Sequence, residues 1–388
     1  MMGKILIYDD LSSRLQQWKD SLDVVKPDEW DVDALPDEVF RDHLKILFER
    51  RKQSRNDSIV NKVSVFDSAD IVFIDYDLIE ADGNLNLTGE DVAYLLRCYS
   101  KCGYIVAINQ FRTDRTFDLT MNGHLDKFAD LHISEADIAS EGLWKQEWKG
   151  FRPSTWPYLP DAPSLYNARV DDIKNSLGIP IIEFFEFPDS AVISDSLANF
   201  LDVPEKEFSE VTFTDFVKKS TNALKPKDAQ PDEEMMARIA AARIHKWLEH
   251  GILPLQNILV DAPHIALRLP SLYIGETESA DSWNQLNIPN EELPLNIEVI
   301  KKHQFSHESW LSRPVWFWRD VQNNRDIQEV KEPWKFEPPP FVFCEDTSHF
   351  VQEEEATEFD TGRPSSYSLR HIEKLEEIAY IPLRQLFT

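Results

Sequence analysis

The chain holds only three cysteines in 388 residues, Cys98, Cys102 and Cys344. Three thiols cannot make an even-numbered disulfide framework, and with no paired CxxC spacing they offer no cysteine-rich zinc site. Reduced thiols of a cytoplasmic protein are the expectation. Also missing is any run of eighteen apolar residues, so no segment is expected to span a bilayer. The opening stretch to Tyr8 is a short apolar run followed by two aspartates, unlike a secretory signal. Positive charge is scarce as well, with 41 Lys plus Arg against 69 Asp plus Glu and a formal net charge of -28. A field of that sign repels phosphate backbones and anionic headgroups, which disfavours nucleic acid and membrane surfaces as partners. The local run Arg50, Arg51, Lys52 and Arg55 reads as a solvated helix face.

What the chain does have is a series of short apolar runs that end in acid. Lys4 to Tyr8 stops at Asp9-Asp10, and Asp70 to Ile74 stops at Asp75. Continuous apolar runs of this length suit strands buried on both faces of a parallel sheet. Val63 to Phe66, Tyr104 to Ile108 and Leu131 to Ile133 are the remaining strand candidates. Helices are expected over Ser13 to Val24, with Leu15, Trp18 and Leu22 on one face, over Glu38 to Arg55, and over Asp91 to Tyr99 after the capping box Thr88-Gly89-Glu90-Asp91. Alternating strands and helices predict an α/β, doubly wound parallel sheet of five strands over residues 1–145, with an insertion near 26–60 that begins in the Pro- and Asp-rich stretch from Lys26.

A Pro-rich linker is expected over 146–165, followed by a separate α+β domain over 166–388. In that region helices are predicted at Ala168 to Leu177, Ser194 to Leu201, Phe213 to Leu224 and Pro231 to His250, and strands at Ile181 to Phe187, Ile258 to Val260 and Phe341 to Phe343. Trp334 to Pro340 reads as a polyproline-like connector. His303 and His307 have the spacing of a helical metal pair but no evident third ligand. Trp316 and Trp318 would share one strand face, and most of the eleven tryptophans read as core filler.

In open α/β sheets ligands collect beyond the carboxyl ends of the strands, where Asp9, Asp10 and Asp75 all fall. If the strands that carry them are neighbours, three carboxylates converge, and their repulsion calls for a divalent cation; oxygen-only ligands select Mg2+ or Mn2+. Lys4 to Asp10, Asp70 to Leu78 and Gly89 to Arg97 together resemble the receiver domain of two-component response regulators, a flavodoxin-like fold, over roughly a third of the chain. The resemblance implies that Asp75 accepts a phosphoryl group from a histidine kinase or phosphotransfer protein. It also implies that Asp9, Asp10, Asp75 and the backbone carbonyl of Asp77 hold the metal, and that the added charge is a signal for the C-terminal domain, an effector or a module that acts on a protein partner.

Two departures stand out. Where receivers end their fourth strand in a Thr or Ser hydroxyl, this chain has Asn109, whose amide can still donate a hydrogen bond to the phosphoryl group. The fifth strand lacks the receiver lysine, since Leu131 to Ala136 offers only His132, Ser134 or Glu135 at that position. A pseudo-receiver that docks a partner without phosphorylation is therefore an open alternative, and three carboxylates that merely cap strand ends are another. Asp75-Tyr76-Asp77 also resembles the first motif of haloacid-dehalogenase-type phosphatases, with Asp75 as nucleophile and Asp77 as acid/base. A phosphoacceptor in signalling is preferred to that enzyme, because Asp171-Asp172, the one nearby acidic pair downstream, falls inside a predicted helix.

Overall fold

The computed structural model describes residues 3–54, 62–78, 87–109, 114–188, 199–224, 231–287, 292–328, 341–362 and 369–382. The chain forms two compact units. The first comprises Met1–Arg115, His124–Trp144 and Leu159–Lys246, and the second Thr116–Gly123, Lys145–Tyr158 and Trp247–Thr388. Among the described residues no helix is long and apolar enough to cross a membrane.

The first unit has α/β character. In chain order the elements up to Ser134 are β1 (Gly3–Tyr8), α1 (Ser12–Val25), β2 (Trp30–Ala34), α2 (Asp37–Ser54), β3 (Ile71–Asp75), α3 (Gly89–Tyr99), β4 (Tyr104–Asn109), β5 (Arg115–Asp118) and β6 (Leu131–Ser134), of which β5 from Thr116 on belongs to the second unit. β2, β1, β3, β4 and β6 hydrogen-bond in that order into an all-parallel sheet; counting its members along the chain, the order is 2-1-3-4-5. Every residue of β3, and all of β4 except Asn109, is buried, which is why these strands read as unbroken apolar runs.

The stretch read as an insertion supplies β2 and α2 instead. β2 is the sheet's edge, paired only with β1, so it can carry Asp31 and Asp33 around a single buried Val32; an edge strand of that kind leaves no apolar run to find. Val63 to Phe66 is not a strand. Asp67 Oδ2 accepts the Ser64 N–H at 2.8 Å and pairs with Arg50 at 2.6 Å, drawing Val65–Ser68 into a 3-10 turn.

Leu159–Lys246 joins this unit, beyond the Pro-rich stretch where a boundary was expected, and the reason is a buried cation. Arg97 on α3 pairs with Asp130, donates to the Gly103 carbonyl at 3.0 Å, and lies 4.6 Å over the ring of Tyr166 on the helix Ala162–Lys174. Asp130 Oδ2 also accepts the Ile105 N–H at 2.7 Å, so one carboxylate ties α3, β4 and the entry to β6. Farther on, Arg243 and Lys246 of the helix Glu233–Trp247 are buried and donate to the carbonyls of Leu125, Lys127 and Ala129. Ile181–Phe184, predicted as strand, is a short helix: Pro180 leads into it, and Phe184 packs edge-on against Phe213 with ring centroids 5.2 Å apart.

The second unit combines short helices with small sheets. Leu259–Asp261 pairs antiparallel with Val315–Phe317, and a four-stranded sheet is built from Phe341–Cys344, His349–Gln352, Thr357–Asp360 and Leu369–Ile372. Trp283, Trp316, Phe341, Phe343 and Phe350 share its core, in line with tryptophan as filler. Trp318 does not continue the strand of Trp316 but opens the helix Trp318–Gln322. His303 closes a 3-10 turn and His307 precedes another, so the two do not share a helix. Most of Ser194 to Leu201, and all of Trp334 to Pro340, lie outside the described residues.

Removing one partner of a buried ion pair strands the other, at a cost of about 3–5 kcal/mol. Asp130→Ala is therefore expected to lower the urea-unfolding free energy by about that amount. A loss below about 1 kcal/mol would show that Arg97 and Asp130 do not hold this unit together.

Candidate functional site

The register of the sheet builds the site. Tyr8 at the end of β1 sits opposite Ile74 of β3, so one residue further along Asp9 stands level with Asp75. Asp10 follows, and the carboxylates of Asp9, Asp10 and Asp75 offer oxygens that all lie within 4.8 Å of one another. The sequence-level expectation that these three converge is met. Asn109, at the end of β4, pairs across to Ser134 on β6, one position past the pair Asp75 and Ile108.

Gly89 lets α3 begin against this strand end. A Cβ there would lie 2.1 Å from the Asp75 carbonyl oxygen, and the Gly89 N–H donates to the Tyr76 carbonyl at 2.9 Å. On the other side the Leu11 N–H donates to Asp9 Oδ1 at 2.7 Å, setting the turn from β1 into α1. Asp9 thus lies at a helix N-terminus, where the backbone dipole favours negative charge.

Asp75 is fully buried. Its Oδ1 accepts the Asp77 N–H at 3.2 Å, and its Oδ2 has no hydrogen-bond partner among the described residues. Burial pushes its pKa up to about 8, against the pull of that N–H and of Arg14. Burial likewise raises Asp9 to about 6, against the Leu11 N–H and Arg14. Arg14 was not foreseen. Its Nη1 lies 3.3 Å from Asp9 Oδ2 and 3.9 Å from Asp75 Oδ2, and its Nε is 3.9 Å from Glu135 Oε1. Glu135 Oε1 also accepts the indole N–H of Trp18 at 3.0 Å. The available signal was helical spacing: Arg14 and Trp18 are one turn apart on α1, directly after the acidic pair.

The other positions fall elsewhere. Asp77 reaches the site through its backbone N–H, and its carboxylate is not part of the three-carboxylate group. His132 faces His124, with ring centroids 4.4 Å apart, and Ser134 donates to Asp137 at 2.7 Å. Glu135, directly past the end of β6, is the residue of the fifth strand region that approaches the acids through Arg14. Asp171 and Asp172 lie within the helix Ala162–Lys174.

Three clustered carboxylates, one with a buried oxygen lacking any hydrogen bond, are a donor set that suits a hard divalent cation, which would neutralise their repulsion. The second unit has its own cavity of about 380 Å³, lined among others by Trp148, Arg152, Asn284 and His349. No family model, curated protein or solved structure matches the chain.

Because the folded-state pKa of Asp75 lies above its ordinary value of 3.8, the folded chain retains a proton that the unfolded chain releases. That contribution to stability is complete below the ordinary carboxylate range and is lost as pH rises towards about 8. In EDTA, Asp75→Asn is expected to melt higher than the wild type at pH 8, by about 2–8 °C, with the gap closing near pH 4. Melting curves that run parallel across this range would contradict the burial-driven shift.

Proposed function

We propose that the first unit is a receiver-like, flavodoxin-like phosphoacceptor module in which Asp75 takes a phosphoryl group from a histidine kinase or phosphotransfer protein. The observation that carries this reading is the buried Asp75 Oδ2, without a hydrogen bond among the described residues, beside Asp9 and Asp10 at the carboxyl end of a parallel sheet ordered 2-1-3-4-5. Mg2+ held by the three carboxylates and the Asp77 carbonyl would supply the charge neutralisation that phosphoryl transfer needs.

The chain's own residues do the rest. Asp77 steadies Oδ1 through its N–H and leaves Oδ2 as the nucleophile. Burial raises the pKa of Asp75, so a cation bound beside it would favour the carboxylate form that attacks phosphorus. Asn109 is the switch position, able to donate to the phosphoryl oxygen. The second unit is the output, acting on a protein partner.

The phosphatase reading, with Asp75 as nucleophile and Asp77 as acid/base, leaves the convergence of Asp9 and Asp10 without a role. Incubation with acetyl phosphate and Mg2+, followed by phosphate-affinity electrophoresis, separates these readings. The wild type is expected to give a retarded band that Asp75→Asn and EDTA abolish. No band from the wild type, with acetyl phosphate or with kinases, would overturn the phosphoacceptor reading in favour of a docking pseudo-receiver. Steady turnover of a phosphomonoester that needs both Asp75 and Asp77 would select the phosphatase.

A further inference from the structure

We propose that Arg14 is the cation that binds the phosphoryl group, acting from the first turn of α1 in place of a lysine at the end of the fifth strand; this rests on the reading of Asp75 as phosphoacceptor. A phosphoryl group on Asp75 brings close to two negative charges to a pocket that already holds Asp9 and Asp10, with Glu135 at its rim. Some fixed positive charge of the chain must face it. β6 carries neither Lys nor Arg, its His132 faces His124, and the strand ends in Ser134 followed by a carboxylate. Arg14 is the cation that, among the described residues, forms ion pairs with both Asp9 and Asp75.

Its geometry is that of a side chain held ready. Glu135 faces its Nε at 3.9 Å and is itself fixed by the buried Trp18, so the guanidinium is steered from behind while Nη1 points at the acids. The 3.9 Å to Asp75 Oδ2 is too long for a hydrogen bond, and no other donor among the described residues satisfies that oxygen. In the transfer, Asp75 having released its proton to solvent, the Oδ2 lone pair forms the new P–O bond while the bond from phosphorus to the donor's acetate oxygen breaks, its electron pair leaving with acetate. No oxidant or reductant takes part. The phosphoryl oxygens then lie on the side from which Arg14 approaches, and a guanidinium can meet two of them with parallel N–H bonds.

The test compares wild type, Arg14→Ala, Arg14→Lys and Glu135→Gln in acetyl phosphate and Mg2+, following acyl-phosphate formation and decay by phosphate-affinity electrophoresis. Metal affinity is read in parallel from Tb3+ luminescence, and folding from circular dichroism. Arg14→Ala is expected to form acyl phosphate about 10- to 100-fold more slowly, the scale for one charge-assisted donor, while binding Tb3+ at least as tightly as the wild type. Arg14→Lys should recover part of the rate, and Glu135→Gln should fall between wild type and Arg14→Ala. If Arg14→Ala reacts at the wild-type rate on Asp75, the role of Arg14 is refuted and the phosphoacceptor reading stands. A wild type that is never phosphorylated removes both. Loss of Tb3+ binding together with phosphorylation in Arg14→Ala, unrescued by lysine, would make Arg14 a structural residue and overturn the proposal.

Discussion

Ionising Asp75 inside the sheet is the free-energy problem around which the first unit is arranged. The carboxylate ends a strand buried along its whole length and, among the described residues, receives one backbone N–H and has its nearest positive charge 3.9 Å away. A charge with so little compensation returns to its neutral form unless a counter-charge arrives. Asp9 adds a second desolvated carboxylate at the same level of the sheet, and their mutual repulsion deepens the problem. A site that disfavours its own ionised state favours the entry of a cation.

Holding such a site requires a rigid frame, and buried ions supply much of it. Arg97 with Asp130 fastens α3 to the sheet, and Arg243 and Lys246 gather the carbonyls of the chain before β6. Buried charges of this kind add little net stability but strongly penalise alternative arrangements, because each ion left unpaired is costly. α3 then starts where Gly89 permits, against the backbone of Asp75.

The second unit uses buried charge differently. His264 places Nδ1 2.6 Å from Asp261 and Nε2 3.3 Å from Glu345, while Arg313 and Arg370 pair with the same two carboxylates. Those cations, with His264, hold Asp261 and Glu345 well below their usual carboxylate range in spite of burial. Both ring nitrogens of the buried His264 are engaged, and the cluster reads as a knot of paired charges, with Arg313 reaching partly to solvent.

Local pattern was enough for the elements whose chemistry is local. The apolar runs of β1, β3 and β4, the Thr88 and Asp91 capping box, and the amphipathic face of α1 could all be read residue by residue, and so could the aspartates that end two of the strands. β2 escaped because an edge strand needs only one buried side chain, and Val63 to Phe66 misled because Asp67 competes for the backbone from outside the run. Arg14 and Glu135 are 121 positions apart, and neither carries a mark of the site on its own. Sequence alone determined that acids would end buried strands. Only the tertiary structure decided which strands are neighbours, in what register, and which cation faces the acids, because pairing and burial depend on contacts between residues far apart in the chain.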